Sequence, residues 1–266
     1  VSSSVPILSV DRLCITMGGQ RLLDAITFDI RRGERVGLLG QSGSGKSLTA
    51  SAALGLAPRE ARLTGRIRLN GLDVTTTHVL SRPRQARAAM VTQDTQAALN
   101  PLTTIGYQME QPLRRRGLSR RAAQDEARVL LDRVGLPDPD QMLRRCSPEL
   151  SGGQRQRVCI AMALAADAPL IVADEPTTAL DVITQAQVLR VLDQVTRAPG
   201  GPGLLFITHD LHAAAHLCDR ALVIEGGRII EDGPMAQLLA APETDYARLL
   251  VAAAERCGIH CQAVHG

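Results

Sequence analysis

The run Gly40-Gln41-Ser42-Gly43-Ser44-Gly45-Lys46-Ser47 follows an apolar stretch, Val36 to Leu39, and opens a helical pattern. It fits G-x-x-x-x-G-K-[ST], and between a strand and a helix that pattern commits a chain to an α/β core built around a phosphate loop. Gly43 and Gly45 permit a tight turn with amides pointing inward, and the helix beginning near Gly45 turns its positive dipole end toward a polyphosphate. Lys46 is placed to reach the β and γ phosphates, and the Ser47 hydroxyl to ligate Mg²⁺. Gly40, Gln41, Ser42, Ser44 and Leu48 complete the expected nucleotide-binding set, chiefly through backbone amides.

Leu170 to Pro176, reading LIVADEP, has the pattern of a buried parallel strand with two carboxylates at its C-terminal end. A helix cap is the plainer use of an acid, yet the run before it is strand-like. Asp174 is placed to hold Mg²⁺ and Glu175 to polarise an attacking water, as in-line phosphoryl transfer requires. A third signal, Leu150-Ser151-Gly152-Gly153-Gln154, precedes a helix. It presents a hydroxyl and free amides at a helix N-terminus, which is a good anion site.

Together with Thr208-His209-Asp210, these segments resemble the nucleotide-binding subunit of an ABC transporter over essentially the whole chain. The resemblance implies the ABC ATPase fold: a P-loop core with a mostly parallel sheet, an antiparallel β layer and an inserted helical sub-domain. It implies an ATP hydrolase that uses ATP and Mg²⁺ and works as a pair, because Leu150 to Gln154 face the nucleotide of the opposite subunit. Gln93 corresponds to the family's glutamine that senses Mg²⁺ and the attacking water, His209 to the histidine that contacts the γ-phosphate, and Asp181 to the aspartate that links the two sites. Catalysis then falls to Glu175, His209, Gln93 and Lys46, and the metal to Ser47, Gln93 and Asp174. Where the family stacks an aromatic on adenine this chain has Met17. Its polarizable thioether either supports the base or fills the core of the first strand.

A finer likeness lies in QDTQAALNP, Gln93 to Pro101, which is similar to the QDPxxSLNP stretch of importers for peptides, nickel and related ligands. Thr95 and Ala98 depart from it, whereas PETDYARLL, from Pro242, resembles the PxHPYTRxLL of the same group. The implied partners are a second ATPase subunit, identical or related, two transmembrane permease subunits, and indirectly a solute-binding protein. The alternative from another class is an ABC ATPase attached to a soluble enzyme complex such as carbon-phosphorus lyase. Co-purification discriminates between the two.

The chain has 266 residues, 45% hydrophobic and 21% charged, with a formal charge of +3. Its longest apolar run is broken by Asp167 and Pro169 and its beginning lacks a basic-then-apolar signal, so a peripheral place on the cytoplasmic face of the membrane is expected. The sequence holds two Tyr, two Phe and no Trp. With no aromatic platform and an arginine-rich surface that is not concentrated in a stripe, nucleic acid is not expected as a partner.

Alternation along the chain places strands at Ile7 to Ile30, a hairpin turning at Asn70-Gly71, a core strand at Ala88 to Gln93, a helix from Thr178 to Arg197 and a terminal hairpin near Gly226-Gly227. The expected division is a core of residues 1–93 and 149–242, a helical sub-domain 94–148 and a C-terminal extension 243–266. Cys14, Cys146, Cys159 and Cys218 are dispersed as reduced thiols. Cys257, His260, Cys261 and His265 have donor chemistry that suits Zn²⁺, in a tail of the kind often left loose. His212 and His216, one helical turn apart, read as a solvated helix face.

Overall fold

Two stretches of period-two apolar residues, β1 (Leu8–Met17) and β2 (Gln20–Ile30), pair antiparallel with Leu8 opposite Ile30. The computed structural model describes residues 5–178 and 180–256. These form two compact units: residues up to Arg87 together with those from Gly203, and residues Ala88 to Pro202. In the first unit β1 also pairs with β4 (Arg62–Leu69), which turns into β5 (Leu72–Asp73). Asn70 and Gly71 both have positive φ, 47° and 78°, the combination a two-residue hairpin turn demands. Leu8, Leu13, Ile15, Leu23, Ile67 and Leu69 are fully buried between this layer and the rest of the unit. Met17 ends β1 at 38% exposure, so it does not fill the core.

Between β1–β2 and β4 stand β3 (Arg35–Leu39), buried along its length, and α1 (Lys46–Leu54). Glycine ends α1: Gly55 has φ 74°, and a Cβ there would lie 2.6 Å from the Arg82 guanidinium. Arg82 is itself buried and donates to the carbonyls of Ala53 at 2.6 Å, Thr77 at 2.9 Å and Val74 at 3.2 Å. Burial lowers its pKa to about 10. The negative end of the α1 dipole and two loop carbonyls thus replace water around the cation. Arg82→Ala leaves these carbonyls and a cavity behind, and is expected to lower unfolding free energy by about 3 kcal/mol in urea titrations. The exposed Arg59→Ala should change it by no more than about 0.5 kcal/mol.

The second unit begins with β6 (Ala89–Thr92), which pairs in parallel with β7 (Leu170–Asp174). Between them run α2 (Thr95–Ala98), α3 (Ile105–Arg115), α4 (Arg120–Arg133), α5 (Pro139–Arg144) and α6 (Gly152–Ala165), and α7 (Val182–Arg197) follows β7. Ser119 caps α4, accepting from the Ala122 amide. Helix α7 begins four residues later than the periodicity suggests. Asp181 accepts from the Thr184 amide as its N-cap, and Glu175 to Thr178 form a turn instead.

The first unit resumes with β8 (Gly203–Thr208), α8 (Leu211–Leu217), β9 (Arg220–Glu225), β10 (Arg228–Pro234), α9 (Met235–Ala240) and α10 (Asp245–Arg256). Strand β3 lies in parallel between β8 and β9, and β9–β10 is the terminal hairpin. Helix α10 is absent from the sequence reading. It docks on α8, with Ala247 buried and the Ala254 carbonyl accepting from His212 Nε2 at 3.2 Å, so His212 is not simply solvated. No helix among the described residues is long and apolar enough to cross a membrane.

Burial pushes the Cys159 thiol up to about 12 and the Cys218 thiol higher still. Thiolate, not thiol, reacts with disulfide reagents. Peptide mapping after native treatment with such a reagent should find both cysteines unmodified, and modified once urea unfolds the chain. Cys257, His260, Cys261 and His265 lie outside the described residues.

Candidate active site

In the first unit the phosphate loop is held by its own packing. A Cβ on Gly40 would lie 2.4 Å from the Ile224 carbonyl, and one on Gly45 2.4 Å from Leu23, so both must be glycine whatever they bind. Gly45 at φ 105° is also the N-cap of α1. The Gly227 amide donates to the Ser44 carbonyl at 3.1 Å, tying the loop to the β9–β10 turn. Gln41, Ser42 and Gly43 form an exposed crown, whereas Ser44 and Lys46 are buried. Lys46 folds back, its Nζ donating to the carbonyls of Gly40 at 2.8 Å and Gln41 at 2.9 Å. The Ser44 hydroxyl is buried with no hydrogen-bond partner among the described residues. A buried orphan hydroxyl and a buried cation that donates to the Gly40 and Gln41 carbonyls are groups that an entering anion would pair well.

Sheet register carries His209 to the same level. Leu39 lies opposite Thr208 on the parallel strands β3 and β8, so Gly40 and His209 both leave the C-terminal edge of neighbouring strands. That edge is where open α/β sheets bind ligands. The Thr208 hydroxyl accepts from the Asp210 amide at 3.0 Å, and Asp210 caps α8, which sets the corner on which exposed His209 stands. Tyr246 of α10 also reaches this loop. Burial raises the pKa of its phenol with help from Glu225, against a smaller lowering by the Gln41 backbone. No sequence signal within the loop points to Tyr246.

In the second unit the register again gathers residues: Thr92 lies opposite Asp174, which sets Gln93 and Glu175 side by side at one strand edge. Glu175 has φ 49°. That left-handed conformation costs a non-glycine residue about 1–3 kcal/mol, and such strain concentrates at functional sites. Its Oε2 accepts from the Thr178 hydroxyl at 2.6 Å. The Gln156 amide, one turn into α6, donates to the Thr92 carbonyl at 3.4 Å beside Gln93.

Leu150 is buried and anchors the start of α6. Ser151 and Gln154 cap each other: Ser151 Oγ accepts from the Gln154 amide at 3.2 Å, and Gln154 Oε1 from the Ser151 amide at 2.9 Å. This capping box satisfies two helix-end donors, with Gly152 half-buried and Gly153 buried behind it. A Cβ on Gly153 would lie 2.2 Å from Thr184 Cγ2, so the α6 backbone packs directly on the Thr184 side chain of α7. Thr184 also donates its hydroxyl to Asp181 at 2.6 Å and its amide at 2.9 Å, and these bonds lower the Asp181 pKa. Leu150 to Gln154 and Asp181 are therefore mechanically linked through Gly153 and Thr184. Thr184 was legible only as an ordinary helix residue. The two units thus divide the candidate residues: Met17, Gly40 to Leu48 and His209 in one, Gln93, Leu150 to Gln154, Asp174, Glu175 and Asp181 in the other.

Among the described residues no group of three or more His, Cys, Asp or Glu is placed to hold a metal ion. Ser47, Gln93 and Asp174 offer a hydroxyl, an amide oxygen and a carboxylate. Those are hard oxygen donors of the kind Mg²⁺ takes.

Comparison with known proteins converges on one family. Residues 23–178 match the family described as ABC transporter, a span that includes the phosphate loop, Gln93, Leu150 to Gln154, Asp174 and Glu175. The chain is 41% identical over 263 residues to a probable D,D-dipeptide transport ATP-binding protein of Escherichia coli K12, covering 96% of this chain and 80% of that protein. It is 41% identical to a putative peptide import ATP-binding protein of Brucella abortus, covering 94% and 77%. Among solved structures, cbiO1 of Clostridium perfringens, part of an ABC transporter complex, superposes with a TM-score of 0.76 at 23% identity, covering 90% of this chain and 92% of that one. The ATP-binding cassette MJ0796, solved as a dimer in a post-hydrolysis state with ADP and Pi, gives 0.71 at 26% identity, covering 86% and 98%. With the family match spanning more than half its length, and these identities over nearly all of it, the chain belongs to the ABC transporter family and is one of its ATP-binding ATPases.

Proposed function

We propose that this ATPase powers an importer of peptides or chemically related solutes, working as a pair of ATPase subunits under two transmembrane permease subunits at the cytoplasmic face of the membrane. The names of its relatives, which include D,D-dipeptide transport and peptide import proteins, support the solute class. The observation that carries the pairing is the capping box at Ser151. It marks a second helix N-terminus in a chain whose phosphate loop already precedes one, and the two belong to different compact units. A two-fold pair gives each loop a capping helix from the other subunit.

Within that reading the phosphate-loop amides and Lys46 hold the ATP phosphates, and Lys46 exchanges two carbonyl partners for charged oxygens. Met17, exposed at the end of β1, supports the base. Glu175 takes a proton from the attacking water, while His209 and Gln93 orient the γ-phosphate and that water. Ser47, Gln93 and Asp174 would hold Mg²⁺, which when bound neutralises charge on the β and γ phosphates. Ser151 to Gly153 meet the partner's ATP, and Asp181 relays their position through Thr184. Residues 94–148 serve as the helical sub-domain that meets the permease, and 243–266 as a C-terminal extension. Differential contact with ATP in the closed pair shifts the population toward closure, and hydrolysis releases it.

The test is reconstitution. Co-expressed with permease and solute-binding subunits of a peptide importer from its source, the chain should leave detergent extracts with the permeases. Its ATPase rate in proteoliposomes should rise when peptide-loaded binding protein is added. Extraction of the chain with a soluble multi-enzyme complex and no permease would refute the reading.

A further inference from the structure

We infer that Thr178 is a positioning residue for the Glu175 carboxylate. Glu175-Pro176-Thr177-Thr178 closes a turn in which the Thr178 amide donates to the Glu175 carbonyl at 3.3 Å. Proline at the second position presets φ for such a reversal, so the turn is written into the local sequence. It carries the Thr178 hydroxyl to Oε2 of Glu175 at 2.6 Å, the length of a charge-assisted O–H···O⁻ bond. The backbone of Glu175 is held in the left-handed region at the same place.

The physical consequence concerns rotation. The terminal torsion of a glutamate is broad and nearly two-fold, so an untethered carboxylate samples many planes. Tying Oε2 to a hydroxyl anchored two residues beyond a proline selects one plane, and so the direction in which Oε1 points. Proton abstraction from water needs that alignment within hydrogen-bond reach, and misplacement of a reacting group is expensive. A threonine that merely stabilised the turn would act on folding. One that aims the carboxylate acts on turnover.

This inference rests on Glu175 being the general base, and the experiment separates the two. Turnover, ATP affinity and thermal midpoint are measured on the reconstituted transporter for Thr178→Val, Thr178→Ser and Glu175→Gln. Thr178→Val keeps the shape and removes the donor. It should lower kcat about tenfold to a hundredfold, with KM for ATP and the midpoint unchanged. Thr178→Ser restores the donor and should stay within about twofold of native kcat. A native or raised kcat for Thr178→Val, or equal losses for Val and Ser, would overturn the assignment. Glu175→Gln at the native rate would instead remove the base reading on which it stands. If Thr178→Val does not fold, Thr178→Ala against Thr178→Ser makes the same comparison.

Discussion

Glu175→Gln should retain ATP and lose turnover by about a thousandfold, the range a positioned general base supplies. The substitution keeps the volume and a hydrogen-bond acceptor for Thr178 but removes the negative charge that takes the proton. Because binding precedes hydrolysis, the paired state then accumulates. Size-exclusion chromatography with ATP should show a stable dimer that native protein, turning over, does not hold. Hydrolysis at the native rate would take Glu175 out of the mechanism and leave its strained φ of 49° without a catalytic reason.

The second large effect is one of complementation. Ser151→Arg should abolish hydrolysis by about a hundredfold or more, because a guanidinium replaces the hydroxyl whose oxygen completes the capping box, and its bulk fills the approach to the α6 amides. Lys46→Ala should do the same by removing the cation from the loop. Neither variant alone assembles a working site. If the two units of different copies complete one another, mixing the variants yields pairs in which one site joins an intact loop to an intact Ser151. Random mixing makes half the pairs mixed with one of two sites restored, so activity should return to about a quarter of native. No recovery on mixing, with dimers formed, would place Ser151 to Gly153 over the chain's own nucleotide. A partner of different sequence would be revealed by failure of the purified chain to pair with itself.

The parts legible in the sequence are those whose chemistry is local. Gly40 to Ser47, Leu150 to Gln154 and Asp174-Glu175 each lie within a few residues, and each was read in the right element: loop before helix, helix start, strand end. The hairpin at Asn70-Gly71 is local in the same sense. The start of α7 was misplaced because Thr177 and Thr178 carry no strong helix or turn preference of their own. The stop comes from Glu175-Pro176 before them and the Asp181 cap after them.

Other features have no local cause. Arg82 reads as one arginine among many in a basic stretch, yet it is buried at the end of α1 by carbonyls from that helix and from the loop at Val74 to Thr77. Helix α10 and the reach of Tyr246 to Gln41 join residues far apart in the chain. The closeness that forces glycine at 153 comes from Thr184 on another helix. The sequence by itself determined the α/β class, the family and the identity of the chemical groups, because phosphate binding and helix capping depend on backbone geometry set by neighbouring residues. Only the tertiary structure decided which groups share a strand edge, as Gly40 with His209 and Gln93 with Glu175, and which are buried or tethered. Register and packing arise from contacts between segments distant in sequence, and a side chain's partner there is chosen by the shape of the whole core.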